Sequence, residues 1–171
     1  MVSDRRWFPR PLDSKHKAKS HFLLSYMMSG TRDKMIDALN AIVVPVLRER
    51  GFRGSLPHFR RPSAGKIDLL SFQFDKWGGG FLIEISTCAE SGITTYWGEN
   101  IPANKVRAVD NHPDQRHRIT PGKGNSTDDW FRYDQQSLIR SSKMYQQVAS
   151  SVLSHLDKAE GWWKNPITPD Q

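Results

Sequence analysis

The stretch from Lys66 to Cys88, KIDLLSFQFDKWGGGFLIEISTC, constrains this chain's fold more than any other. Two runs rich in Leu, Ile and Phe flank Trp77-Gly78-Gly79-Gly80, and glycines supply the positive φ angles that tight hairpins need. An antiparallel hairpin is expected. With Gly78 and Gly79 as the turn residues, Trp77 faces Gly80, Phe74 stands opposite Ile83, Phe72 opposite Ile85, and Leu70 opposite Thr87. Side chains alternate with period two, so this face is apolar and aromatic. The reverse face carries a polar row in which Gln73 pairs with Glu84 and Ser71 with Ser86.

The elements around the hairpin follow from periodicity. Met35, Ile36, Leu39, Ile42, Val43, Val46 and Leu47 recur at helical spacing and predict an N-terminal helix over about 31–50. Thr31 suits its N-cap and Gly51 its C-terminal stop, and Pro45, which cannot donate to the Ala41 carbonyl, predicts a kink or a short break. Residues 52–61 read as a first strand or two extended pieces, which Pro57 places at an edge or bulges, before a turn over Arg60 to Gly65. Ile93 to Trp97 and Arg116 to Ile119 read as short strands. The segment 98–124, with Pro102, Pro113, Pro121 and Gly122, is loop-like, suits a functional loop, or hides a short helix near Lys105 to Val109. Asp129 to Tyr133 reads as the last strand, with Phe131 and Tyr133 on one side and Trp130 and Arg132 on the other. A C-terminal helix over about 135–160 follows, with Asp134 as N-cap, an apolar stripe through Leu138, Tyr145, Val148, Ala149, Val152, Leu153 and Leu156, and Gly161 as its stop. Trp162 and Trp163 then tuck the chain onto the body. The sum is one α+β domain over 30–163, an antiparallel sheet with a central hairpin packed by two helices, with a C-terminal tail over 164–171.

Charge and cysteine count narrow the functional classes. The 171 residues carry a net charge of +7, and four of those charges fall in residues 1–29, a basic arm expected to be disordered in part or docked on the body. That arm, with Arg60-Arg61, is where a nucleic acid would be met. Cys88 is the one cysteine, so no internal disulfide forms and a reducing cytoplasm is the expected compartment. No apolar run reaches the roughly 18 residues of a membrane helix, and the short patch between His21 and Met28 lacks the cleavage site of a secretory signal.

No catalytic constellation emerges. Asp68 and Glu84 straddle the hairpin as nuclease acids do, but the register puts them on opposite faces, and Ser86 stands where the third group of such a site would be lysine. The six histidines show no metal-ligand spacing, so neither metal nor cofactor is expected. The loop Asp110-Asn111-His112-Pro113-Asp114 holds groups capable of acid–base work in a setting of ordinary turn chemistry. Cys88 reads as a half-buried structural thiol. The expectation is therefore a non-catalytic protein-binding module, immunity-like or regulatory, whose contact residues are Ser71, Gln73, Glu84 and Ser86 of the polar row with Arg60 and Trp130. The alternatives are a nucleic-acid-associated protein using residues 1–29, and an enzyme whose polar row, or His112 and His117, lines a pocket.

Several segments together resemble one bacterial family, the domain of unknown function numbered 4304. They are Pro45 to Phe52, Phe59-Arg60, Leu69 to Gln73, Phe81 to Ser86, Arg118-Ile119 and Asp129 to Phe131, within roughly residues 32–163. The sequence departs from the family's asparagine and glycine at Glu84 and Ser86. The resemblance implies a helix packed on an antiparallel sheet in a small intracellular protein, and no established reaction.

Overall fold

The structure, a computed structural model, describes residues 14–122, 130–134 and 142–165, with side chains from residue 30 onward and, in the last segment, from 143. Helix α1 (Ser14–Glu49) is followed by strands β1 (Arg53–Ser55), β2 (His58–Ser63), β3 (Lys66–Phe74), β4 (Gly80–Ala89), β5 (Ile93–Thr94), β6 (Asn100–Ile101), β7 (His117–Ile119) and β8 (Phe131–Arg132), and by helix α2 (Ser142–Lys164). The main sheet is antiparallel in the order β1-β2-β3-β4-β7, and β8 shares the outer edge of β4 with β7. This is the expected α+β domain.

Both helices cover one face of the sheet. Met35, Leu39, Val43 and Leu47 of α1 and Tyr145, Ala149, Val152, Leu156, Ala159 and Trp163 of α2 are buried against Phe59, Leu70, Phe72, Phe81, Ile83, Ile85 and Phe131. The α2 positions are spaced alternately by four and three, which holds them on one helical face. At roughly 1.5–3 kcal/mol for each large apolar side chain taken from water, this layer supplies most of the driving force for folding. Its aromatic centre runs from strand to strand, with Phe81 stacked on Phe131 at 5.1 Å and Phe72 and Phe74 at 5.8 and 5.7 Å from Phe81. Phe72 looks into this core and Gln73 into solvent, as alternation requires.

The helix limits differ from expectation in ways the local chemistry explains. Helix α1 begins at Ser14, so Thr31 is an interior residue. Between Ser14 and Ser29 the chain has no proline or glycine and several strong helix formers, and propensity suffices without an amphipathic period. The helix also continues through Pro45; Pro45 and Ala41 are both exposed, so the carbonyl left without a donor faces water. Helix α2 runs past Gly161 to Lys164, which makes Trp162 and Trp163 its last turn. Asp134 is described but the residues it would cap lie outside the described residues, as does Leu138. The turn placed at Arg60 to Gly65 is shorter, because β2 continues to Ser63 and only Ala64 and Gly65, at φ +32 and +81, reverse the chain.

The hairpin register is corrected by two residues. Phe74 pairs with Phe81, Phe72 with Ile83, Leu70 with Ile85, Ser71 with Glu84, Gln73 with Leu82 and Leu69 with Ser86. The connection is the five-residue loop Asp75 to Gly79. The Asp75 side chain accepts from Trp77 N at 2.9 Å, Gly78 N donates to Asp75 O at 2.9 Å, and Asp75 N donates to Gly80 O at 3.0 Å. A slip of two preserves which side chains share a face, so the aromatic face survives while its cross-strand partners change.

Candidate functional site

The reverse face of the sheet is covered. After β4 the chain turns at Ala89–Gly92, forms the small hairpin β5–β6, and returns across the sheet to β7. Ile101 and Val106 from this return, with Ala108, close over Leu69, Cys88 and Ile67 as a second apolar cluster. The segment expected to be loop-like is a lid with two 3-10 turns, Ala108–Asp110 and Pro113–Gln115.

The polar row fastens this lid. Ser71 Oγ accepts from Ala108 N at 3.2 Å and lies 2.9 Å from His58 Nδ1; Ser86 Oγ donates to Ala108 O at 3.3 Å and accepts from Asn111 Nδ2 at 2.9 Å. Both backbone groups of one buried residue are thus satisfied by two serines of the sheet, which is what burying a loop requires. Glu84, only 4% exposed, receives Arg116 at 2.9 Å and Arg118 at 3.1 Å. Arg60 donates to the Ala103 and Val106 carbonyls at 3.1 and 3.4 Å. Arg107 N and guanidinium both hold Asp110.

The six expected contact residues therefore separate. Ser71, Glu84 and Ser86 are buried together beneath the lid, and Arg60 fastens it from the β2 side. Gln73 is exposed beside Leu82, toward the turn end of the hairpin. Trp130 is half-buried beside Gly80, about 13 Å along β4 from Glu84 by strand rise. Of the row expected to be an open contact surface, Ser71, Glu84 and Ser86 are instead internal architecture.

Titration behaviour agrees with a locked interior. Burial pushes His58 below its ordinary value, and the Arg107 and Arg60 charges add to this against the opposing pull of Asp110. Burial would raise Asp110, but the hydrogen bonds and charge of Arg107 outweigh it and hold the carboxyl below the usual range. Burial pushes the Cys88 thiol up, only partly offset by Arg60, so it stays protonated and un-nucleophilic. Burial also lowers His117, whose ring stacks on Trp162 at 6.0 Å. Asp68 and Glu84 lie on opposite faces, as expected; Asp68 is engaged by Arg61 on the helix side. Among the described residues no group of His, Cys, Asp and Glu is arranged to hold a metal ion.

A cleft of about 690 Å³ stays open at the far end of β4. Thr87, Cys88 and Ala89 form its floor, Ile93 to Tyr96 one wall, Asp110 to His112 another, and Lys66 and Trp162 its end. Above it projects the tip of the β5–β6 hairpin. Gly98 N donates to Thr95 O at 2.9 Å, Glu99 N to Thr95 Oγ1 at 2.9 Å and Trp97 Nε1 to Glu99 Oε2 at 3.0 Å. This fixed tip presents Tyr96 at 80% exposure and Trp97 at 55%, edge to face at 4.6 Å. Tyr96 also meets His112 edge-on at 6.0 Å, and His112 Nδ1 lies 3.2 Å from Asp114. Sequence reasoning placed Tyr96 and Trp97 in a strand; the available signal was the Tyr-Trp-Gly tripeptide, a turn former beside two aromatics.

The model of the family described as domain of unknown function (DUF4304) matches residues 43–165. The chain belongs to that family. The match takes in the last two turns of α1, the whole sheet, the lid and α2, so the buried row and the cleft both lie in the DUF4304 domain. No curated protein and no solved structure matches the chain significantly. Among the described residues no helix is long and apolar enough to cross a membrane.

Proposed function

We propose that this DUF4304 protein is a non-catalytic protein-binding module, of an immunity or regulatory kind, working in the cytoplasm. The observation that carries the reading is the fixed aromatic tip Tyr96-Trp97 standing in solvent at the mouth of the cleft. Trp and Tyr supply most interface hot spots, because they bring a large apolar area at small entropic cost. A tip held by its own turn bonds has met part of that ordering cost before association. The cleft's Asp110 carboxylate is held by Arg107 and its Cys88 thiol is raised, so neither is free for acid–base or nucleophilic work.

The test places a photo-cross-linking amino acid at Tyr96 of the full chain in its native cells. A discrete polypeptide adduct, lost when Trp97 is also replaced by alanine, is the expected result. Absence of any adduct, together with salt-sensitive retention of the purified chain on immobilised nucleic acid, would overturn the reading in favour of a nucleic-acid partner met through residues 1–29.

A further inference from the structure

Backbone groups alternate along a strand as side chains do, serving its two edges in turn. Gly80 accepts from Asp75 N on the β3 side at 3.0 Å, whereas Gly79 accepts from Tyr133 N and Ala89 from Gly92 N, each at 2.9 Å, on the other side. The odd-numbered residues of β4 therefore turn their N–H and C=O groups away from β3. Phe81 meets Phe131 of β8 there, Ile83 meets Ile119 and Ile85 meets His117 of β7.

Thr87 comes next, and among the described residues no strand stands opposite it on this side, away from its β3 partner Asp68. The chain before β7 bends away into the turn Pro113–Gln115, where Arg116 N donates to Pro113 O at 3.2 Å, and the Arg116 side chain returns to Glu84. Among the described residues the edge of β4 is thus open at one hydrogen-bonding residue, and it opens onto the 690 Å³ cleft. An unpaired donor and acceptor held at strand spacing form a template for one more strand.

We propose that the cleft takes an extended peptide segment of the protein partner, laid along β4 in line with β7 and hydrogen-bonded to the N–H and C=O of Thr87. This rests on the protein-binding reading above and supplies its mode. A guest residue opposite Thr87 shares the helix side of the sheet, where Trp162 forms the end of the cleft. Its two neighbours turn to the reverse side, toward Asn111, His112 and the overhanging Tyr96. The favoured segment is therefore an apolar or aromatic residue between two polar ones. Clefts of about 300–1,000 Å³ engulf drug-sized ligands, which is room for a few residues.

The probe is a synthetic peptide selected on the full-length chain from displayed random linear peptides. Methylating the one peptide nitrogen that donates to Thr87 O should weaken binding about tenfold, the effect of one lost hydrogen bond, while methylation at the flanking nitrogens should not. Thr87→Pro removes an N–H that points away from β3, a position where an edge strand tolerates proline, and should cost a similar factor with unchanged circular dichroism. Independently of any variant, the Thr87 amide should exchange quickly in the free chain and slowly with peptide bound. Binders insensitive to methylation at every nitrogen, no binders from the library, or a Thr87 amide already protected in the free chain would overturn the proposal. If the Tyr96 cross-link persists in Thr87→Pro while peptide binding is unaffected, the strand-addition mode falls and the protein-binding reading stands; loss of the cross-link by Trp97→Ala alone leaves both standing.

Discussion

Replacing Arg61 by methionine should be the most damaging single change outside the apolar core. Its guanidinium donates to Asp68 Oδ2 at 3.1 and 2.8 Å, to both oxygens of Glu160 at 2.9 Å, and to Arg50 O at 3.2 Å. It also stacks between Phe52 and Trp163, at 4.5 and 5.2 Å from their ring centres. One side chain thus joins the end of α1, strand β3 and the last turns of α2. Asp68 is 1% exposed, and among the described residues its Oδ1 has no hydrogen-bond partner, with Lys66 Nζ 3.7 Å away. Breaking a buried ion pair by removing one partner costs about 3–5 kcal/mol, because the other charge stays buried. Lys66 and the partial exposure of Arg61 favour the lower end, about 3 kcal/mol. At about 2–4 °C per kcal/mol for a chain of this size, Tm should fall by about 6–12 °C. Equilibrium unfolding in urea measures the same quantity as a lower midpoint at constant slope. Because most of the cost is the stranded carboxylate, the double variant R61M/D68L should recover a large part of it. A single variant within about 1 kcal/mol of the parent, or a double variant no better than the single, would refute the account.

Three further outcomes follow from other parts of the fold. His58 and His117 have folded values below the ordinary 6.5, so the unfolded chain takes up protons first as pH falls. Their contribution is complete above 6.5 and is lost as pH drops through the folded values; the urea midpoint should fall between pH 7 and 5, less so in H58Q/H117Q, and a flat parent profile would contradict this. Trp97→Ala and Tyr96→Ala should leave stability within about 0.5 kcal/mol of the parent, since both rings stand in solvent; a larger loss on thermal unfolding would mean the tip belongs to the core. Gly92→Ala should cost on the order of 1–3 kcal/mol for its backbone conformation alone, because φ is +97 and the added Cβ would run into the Ile101 carbonyl oxygen with Ala103 N 2.9 Å away. An unchanged melting temperature would show the turn able to relax.

Some of this was legible in the sequence and some was not, and the division follows the range of the interactions. The apolar stripes of α1 and α2, the alternation along β3 and β4, and Phe131 and Tyr133 on one side of β8 are local periodicities, readable without knowing the fold. The hairpin register was not readable from its glycines, because Asp75 caps the loop through its own side chain and the connection takes five residues, Asp75 to Gly79, instead of the two at Gly78-Gly79. The start of α1 depended on propensity where no amphipathic period announces it.

The polar row shows where local reasoning stops. Ser71, Glu84 and Ser86 follow one another on the face that alternation turns away from the helices, and the simplest inference is that such a face meets water or a partner. Whether it does depends on Val106, Ala108 and Asn111, which lie far away in the chain in a segment whose prolines and glycines give no period. A lid of irregular backbone can be buried only if something satisfies its N–H and C=O groups, and hydroxyl side chains on the sheet can do so from below. The polarity of the row is thus explained by the loop's need rather than by a ligand's. A ligand instead finds a place where β4 outruns its neighbour β7, at Thr87, whose outward N–H and C=O meet no strand among the described residues.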